Sequence, residues 1–94
     1  MKVDNLPSRA VLVTGCDTGF GRQITVKLDK AGLVVFAACL TDAAVEEIRK
    51  ECSDQVRPFL MDVTSDSSVD EGFEFVSNNL PKSGLWAVIN NAGV

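Results

Sequence analysis

The chain has 94 residues, of which 46% are hydrophobic and 23% are charged, and its formal net charge is −4 at pH 7. This composition indicates one small globular domain and excludes a disordered or fibrous protein. An acidic surface repels phosphate groups, so the charge argues against a nucleic acid or an anionic membrane as a partner.

The cysteines and the apolar runs exclude further classes. Three widely spaced cysteines, in a chain without histidine, form neither a disulfide framework nor a zinc ligand set, so we predict no metal site and a reducing, intracellular compartment. No apolar run approaches the roughly 20 residues that cross a bilayer, and the first ten residues lack a signal-type stretch. We therefore expect the chain to be soluble and not attached to a membrane.

The first half of the chain alternates apolar runs with helical patterns. Residues 10–14 are an apolar run that ends in Thr14, and residues 33–38 are an unbroken apolar run. Both are typical of parallel strands that are buried on both faces. Between them, the apolar residues of 18–31 recur at helical spacing. Thr41 is a candidate N-cap for a second helix, whose acidic residues come early and basic residues late and whose apolar stripe ends at Cys52.

The second half repeats this alternation. Residues 56–61 and 85–90 are predicted strands, and Pro58 favours an edge position for the first of them because proline donates no hydrogen bond to a neighbouring strand. Between these strands, Ser65 or Asp66 is predicted to cap a third helix. The apolar stripe predicted for this helix consists of Val69, Phe73, Val76 and Leu80.

Strands that alternate with helices imply right-handed crossovers and a parallel sheet. We therefore predict an α/β fold, a partial Rossmann fold with a four-stranded parallel sheet in the order 3-2-1-4 and about three helices. Residues 1–94 are expected to form one unit, the dinucleotide-binding part of such a fold. This order places the strand that contains Pro58 at an outer edge of the sheet.

A glycine-rich segment, Thr14-Gly15-Cys16-Asp17-Thr18-Gly19-Phe20-Gly21, joins the first strand to the first helix. Gly15 permits a tight turn, Gly19 removes a Cβ from the path of a phosphate, and Gly21 lets the helix lie close to the sheet. The N-terminus of a helix in this position can bind the pyrophosphate of a dinucleotide. The spacing differs from G-x-G-x-x-G, and a glycine-rich turn without a ligand is the alternative.

Two further segments follow the third and fourth strands. Asp62 could accept a hydrogen bond from an adenine amino group while Val63 packs against the ring, although Asp62 could equally be a plain helix-capping residue. The second segment is Asn90-Asn91-Ala92-Gly93. Its amides could tie strand ends together and its glycine could admit a cofactor ribose, although a simple turn is the alternative.

In these three segments the chain resembles the short-chain dehydrogenase/reductase family, whose pattern is Thr-Gly-x3-Gly-x-Gly, an Asp after the third strand and Asn-Asn-Ala-Gly. The resemblance extends from Ala10 to the end of the chain. In residues 16–21, 36–41 and 84–90, the amino-acid sequence is similar to that of the retinol and hydroxysteroid dehydrogenase branch of the family. It implies the NAD(P)-binding portion of an oxidoreductase that acts on an alcohol/carbonyl pair of a hydrophobic substrate such as a retinoid or steroid. The cofactor-binding residues that it implies are Gly15, Asp17, Thr18, Gly19, Phe20, Gly21, Asp62, Val63, Asn90, Ala92 and Gly93.

Cofactor choice depends on the end of the second strand, where an acidic residue binds the ribose hydroxyls of NAD and a basic residue binds the extra phosphate of NADP. Cys39 and Leu40 occupy these positions. The two residues directly before Gly19 are Asp17 and Thr18, so the glycine-rich loop provides no basic residue there either. Nothing obvious would neutralise a 2′-phosphate, so the sequence favours NAD over NADP.

The family resemblance also implies a catalytic Ser, a Tyr and a Lys three or four residues after the Tyr. This chain contains no tyrosine and no histidine, so we assign no catalytic residue, expect the catalytic half to be absent and predict no hydride transfer by the chain alone. A non-catalytic nucleotide-binding or regulatory α/β module is the alternative. Relatives in this branch often lie at the endoplasmic reticulum membrane, and the family implies a homo-oligomer for a full-length parent.

Overall fold

The structure is a computed structural model that describes residues 9–17, 19–80 and 84–89. Strands and helices alternate along these residues, every strand pair is parallel, and the sheet order is β3-β2-β1-β4. The predicted fold, strand order and edge position of the Pro58 strand are confirmed. The elements are β1 (Ala10–Val13), α1 (Gly19–Lys30), β2 (Val34–Cys39), α2 (Asp42–Glu51), β3 (Val56–Leu60), α3 (Asp66–Asn79) and β4 (Leu85–Ile89).

The sheet is covered on both faces, which explains why β1 and β2 are apolar without alternation. Successive strand residues point to opposite faces. On one face Val11 packs in a cluster with Ile48 of α2, and on the other face Leu12 and Phe36 pack in a cluster with Val76 of α3. The core therefore consists of two apolar layers, with α1 and α2 on one side of the sheet and α3 on the other.

Side-chain caps fix where α2 and α3 begin. The Thr41 hydroxyl accepts a hydrogen bond from the backbone N–H of Ala44 at 3.2 Å, as the sequence predicts for an N-cap. The Ser65 hydroxyl accepts a hydrogen bond from the backbone N–H of Ser68 at 3.4 Å, and α3 starts directly after Ser65, at Asp66. Of the two predicted candidates, Ser65 is thus the cap.

The apolar stripe predicted for α3 is wrong at one position, because Phe73 is 51% exposed. The ring of Phe75 turns toward the sheet instead, with its centroid 5.0 Å from that of Phe59. The helix approaches the sheet closely at Gly72, where a Cβ would lie 2.6 Å from the sulfur of Met61. This close approach selects the helix face that contains residues 72, 75 and 76.

Candidate functional site

The candidate site lies at the carboxyl edge of the sheet, defined here by residues 14–17, 40–41 and 61–65, which directly follow β1, β2 and β3. Parallel strands end at the same edge, so these three segments are neighbours. The chain passes from β1 to β2 on one side, whereas β4 pairs with β1 on the other. Ligands of doubly wound folds bind at the crevice that this change of direction opens.

The glycine-rich loop has the backbone geometry that its sequence predicts. Gly15 has a φ of 69° and Gly19 a φ of 66°, a region in which a side chain causes strain. A Cβ built on Gly19 would meet no atom within 4 Å. Open space therefore adjoins the first residue of α1, and the first turn of this helix carries no acidic residue.

Backbone hydrogen bonds hold the loop against both neighbours of β1. The N–H of Thr14 donates to the carbonyl of Ile89 at the end of β4, and the N–H of Cys16 donates to the carbonyl of Ala38 in β2, each at 3.0 Å. The loop is therefore fixed across the change of direction. The position of the N-terminus of α1 is set by these contacts.

The underside of the loop is held by a buried polar pair that the sequence analysis did not identify. The Cys16 thiol donates to the carbonyl of Val13 at 3.2 Å and lies 3.4 Å from the Thr25 hydroxyl. Thr25 in turn donates to the carbonyl of the buried Gly21 at 2.8 Å. Burial raises the pKa of the Cys16 thiol to about 11, so it stays protonated and structural at neutral pH.

The Asp17 carboxylate reaches from the loop to the turn after β2. One oxygen, Oδ1, accepts from the N–H of Leu40 at 2.9 Å, and Oδ2 lies 3.1 Å from the same nitrogen. The N–H and the hydroxyl of Thr41 each donate to Oδ2 at 3.2 Å. We call this set of contacts the Asp17 clasp, because it joins two segments that are 23 or 24 residues apart in the chain.

Among the residues that the structure describes, several apolar side chains are exposed at or beside the carboxyl edge. Phe20 in the first turn of α1 is 74% exposed, Leu40 after β2 is 61% exposed, and Val63 after β3 is 42% exposed. Phe20 and Val63 are residues that the sequence analysis assigned to cofactor binding. Exposed apolar groups beside an open crevice suit the flat rings of a ligand.

The Asp62 carboxylate forms a local turn after β3. Its Oδ1 accepts from the N–H of Thr64 at 2.9 Å and from the Thr64 hydroxyl at 2.6 Å. The hydrogen bond from the Thr64 hydroxyl, and to a smaller extent that from the Thr64 N–H, lowers the pKa of Asp62. The carboxyl group is therefore ionised at neutral pH. The Asp62 N–H donates to the Ser68 hydroxyl at 2.8 Å, which links this turn to α3.

The basic residue of α1 nearest the loop in sequence is engaged elsewhere. The Arg22 guanidinium forms ion pairs with Glu47 at 2.8 Å and with Glu51 at 3.6 Å, both on α2. The other two basic residues of this helix, Lys27 and Lys30, lie in its last turn at the far end. Arg22 therefore joins α1 to α2, and its charge is directed to two carboxylates.

Some predicted site residues lie outside the described residues, namely Thr18, Asn90, Ala92 and Gly93. Within the described part of the chain, no cluster of three or more His, Cys, Asp or Glu side chains could hold a metal ion. No helix among these same residues has both the length and the apolar character needed to cross a bilayer. An open cavity of about 450 Å³ lies at the opposite edge of the sheet, beside residues such as Val34 and Arg57.

Known dehydrogenases match this chain over almost its whole length. A family model described as short chain dehydrogenase matches residues 9–94. The chain is 41% identical over 92 residues to short-chain dehydrogenase/reductase family 9C member 7 of Mus musculus. It is 39% identical over 92 residues both to 17-beta-hydroxysteroid dehydrogenase type 6 of Rattus norvegicus and to retinol dehydrogenase 16 of Mus musculus. Each alignment covers 98% of this chain and 29% of the relative, so the chain spans less than a third of these proteins.

Solved structures give the same result for the fold. A short chain dehydrogenase from Bacillus anthracis superposes with a TM-score of 0.83 at 23% identity, over 95% of this chain and 36% of that one. The menthone neomenthol reductase of Mentha piperita superposes with a TM-score of 0.79 at 27% identity, over 93% of this chain and 32% of the reductase.

Proposed function

Because the chain belongs to the short-chain dehydrogenase family, we propose that its carboxyl edge binds a nicotinamide dinucleotide for an oxidoreductase. The observation that carries the proposal is the glycine-rich loop, which is fixed between β4 and β2 and leads into a helix N-terminus with open space beside it. Unpaired N–H groups at such a terminus bind phosphate oxygens. Residues 1–94 are then the dinucleotide-binding part of the fold.

We assign the pyrophosphate to the glycine-rich loop, through Gly15, Thr18, Gly19 and Gly21. The features of this loop fit the group, because Gly19 carries no Cβ, the space beside it is open, and the first turn of α1 has no acidic side chain to repel a phosphate. Phe20, which is exposed next to Gly19, would cover one side of the bound cofactor.

The adenine end is assigned to the segment after β3. Asp62 is ionised and accepts hydrogen bonds, so it would accept from the adenine amino group, while the exposed Val63 would pack against the ring. The remaining assigned contacts are those of Asn90, Ala92 and Gly93, which follow β4 in the chain.

In this proposal the chain binds and orients the cofactor, which supplies the hydride acceptor or donor when bound. The full protein would interconvert an alcohol and a carbonyl of a hydrophobic substrate, such as the retinol or hydroxysteroid in the names of the relatives. These 94 residues contain neither tyrosine nor histidine, so they lack two of the side chains that commonly act as a general acid or base in enzymes. We propose that the chain alone holds the cofactor without transferring hydride.

NAD is the cofactor that the carboxyl edge suits better. Cys39 and Leu40 provide no positive charge at the end of β2. The Arg22 guanidinium, the nearest basic group along α1, is paired with Glu47 and Glu51. A 2′-phosphate would therefore find no basic partner among these residues, whereas the hydroxyl of NAD needs none.

Fluorescence titration of NADH with the 94-residue chain tests the proposal. We expect saturable binding that Gly19→Ala abolishes or weakens at least about tenfold, because the added Cβ would lie in the path of the phosphates. The matched control is Gly32→Ala, since Gly32 also has a positive φ, of 92°, and also has no atom within 4 Å of a built Cβ, but lies at the other end of α1. Equal loss of binding in the two variants, or no binding by the unaltered chain, would refute the proposal.

A further inference from the structure

We infer that the Asp17 clasp makes the carboxyl edge reject dinucleotides with a 2′-phosphate. This inference rests on the proposed function and adds the residue that determines cofactor specificity. In doubly wound folds that bind NAD, an acidic residue about 20 positions after the glycine motif accepts hydrogen bonds from the ribose hydroxyls. Here that position holds Cys39, Leu40 and Thr41, and the carboxylate comes to it from the loop before α1.

The clasp occupies the hydrogen-bond donors that a phosphate would otherwise use. The N–H groups of Leu40 and Thr41 lie just before the first turn of α2, a position where backbone N–H groups bind anions. Both of them, and the Thr41 hydroxyl, donate to Asp17 instead, at 2.9 to 3.2 Å. A 2′-phosphate at this point would have to compete with a carboxylate that is already bound.

The clasp also sets the local charge. The Asp17 carboxylate stands at the end of β2, and Asp42 adds a second carboxylate in the first turn of α2. Further along, Arg22 of α1 faces Glu47 and Glu51 of α2, and these two glutamates neutralise its charge. A 2′-hydroxyl can donate a hydrogen bond to a carboxylate, whereas a 2′-phosphate is repelled by it.

The decisive experiment measures Kd for NADH and for NADPH by fluorescence titration of the 94-residue chain and of Asp17→Asn. Asparagine has the shape of aspartate without its charge, so it removes the repulsion and weakens the clasp. We expect the ratio of the NADPH Kd to the NADH Kd to fall at least about tenfold in Asp17→Asn. A loss of stability alone would weaken the binding of both cofactors and leave the ratio unchanged.

Asp29→Asn is the matched control. The Asp29 carboxylate forms an equivalent contact at the opposite edge of the sheet, where it accepts from the N–H of Ser53 at 2.9 Å and from the Ser53 hydroxyl, 24 residues away. This variant removes the same charge and the same kind of link between loops. The ratio of the two Kd values should therefore remain that of the unaltered chain.

A measurement on the unaltered chain tests the charge independently of any variant. Salt screens repulsion between exposed charges, so the NADPH Kd should fall relative to the NADH Kd as ionic strength rises. A ratio that is insensitive to salt, or equal ratios in Asp17→Asn and the unaltered chain while both bind NADH, would overturn the inference and leave the proposed function standing. Binding of neither cofactor by the unaltered chain would overturn both.

Discussion

Because α3 lies close to the sheet at Gly72, adding one methyl group there should lower the free energy of unfolding. In Gly72→Ala, the new Cβ would lie 2.6 Å from the sulfur of Met61, 3.0 Å from its Cγ and 3.1 Å from Cε2 of Phe59. The end of Met61 can move, but the Phe59 ring is packed against Phe75 at 5.0 Å between centroids. Overpacking of this kind costs about 1–3 kcal/mol.

The helix propensity of alanine offsets about 0.5–1 kcal/mol of that cost. The net loss then lies between about 0 and 2.5 kcal/mol, and its central value of about 1 kcal/mol lowers the Tm of a domain of this size by about 4–8 °C. Thermal unfolding followed by circular dichroism measures it. Ser77→Ala is the control, because Ser77 is an exposed residue of the same helix, and its Tm should not fall.

A double mutant tests the cause of the loss. Met61→Val removes the atom nearest the new Cβ, so in that background Gly72→Ala should cost less than in the unaltered chain. A Tm for Gly72→Ala equal to or above that of the unaltered chain would refute the reasoning, as would an equal cost in both backgrounds.

Two further predictions concern titratable groups. At pH 8, iodoacetamide should label the partly exposed Cys52 before Cys16 and Cys39. The latter two thiols are 0% exposed, and burial raises their pKa values to about 11 and about 12. Mass spectrometry of the folded and the denatured chain checks this order, and labelling of either buried thiol before Cys52 would contradict it. Thr64→Val should raise the pKa of Asp62 toward its usual value, because it removes the hydroxyl donor; an NMR titration of the carboxyl carbon measures the change. The stability from this contact is present above the unfolded-state pKa of Asp62 and is lost as the pH falls through its lowered folded-state pKa.

The secondary structure was predictable because its signals are local. The apolar runs of β1 and β2, the Thr41 cap and the helical spacing in α1 each lie within a few turns of chain, and the structure confirms them. The sheet order was predictable for a different reason, since right-handed crossovers leave few arrangements and Pro58 favours an edge. The glycine-rich loop was likewise identified from residues that are adjacent in the chain.

The face of α3 that meets the sheet was not predictable from spacing. Phe73 and Phe75 are both apolar and both lie within the helical pattern, so periodicity alone does not decide between them. Gly72 decides it, because the absence of a side chain there allows the helix to approach Met61 and turns Phe75 inward. The depth of that approach depends on side chains of β3, which the sequence of the helix does not contain.

The sequence by itself determined the class of fold and the segments that follow β1 and β3, since these depend on residues that are neighbours in the chain. It also determined the strand order, through the handedness of the crossovers and the edge preference of Pro58. Only the tertiary structure decided what the polar side chains of those segments contact. Asp17 was assigned to cofactor binding from its place in the loop, and only the structure shows that its carboxylate binds the turn at Leu40 and Thr41, 23 and 24 residues away. The physical reason is that such a contact forms only when the parallel pairing of β1 and β2 brings the two strand ends to the same edge.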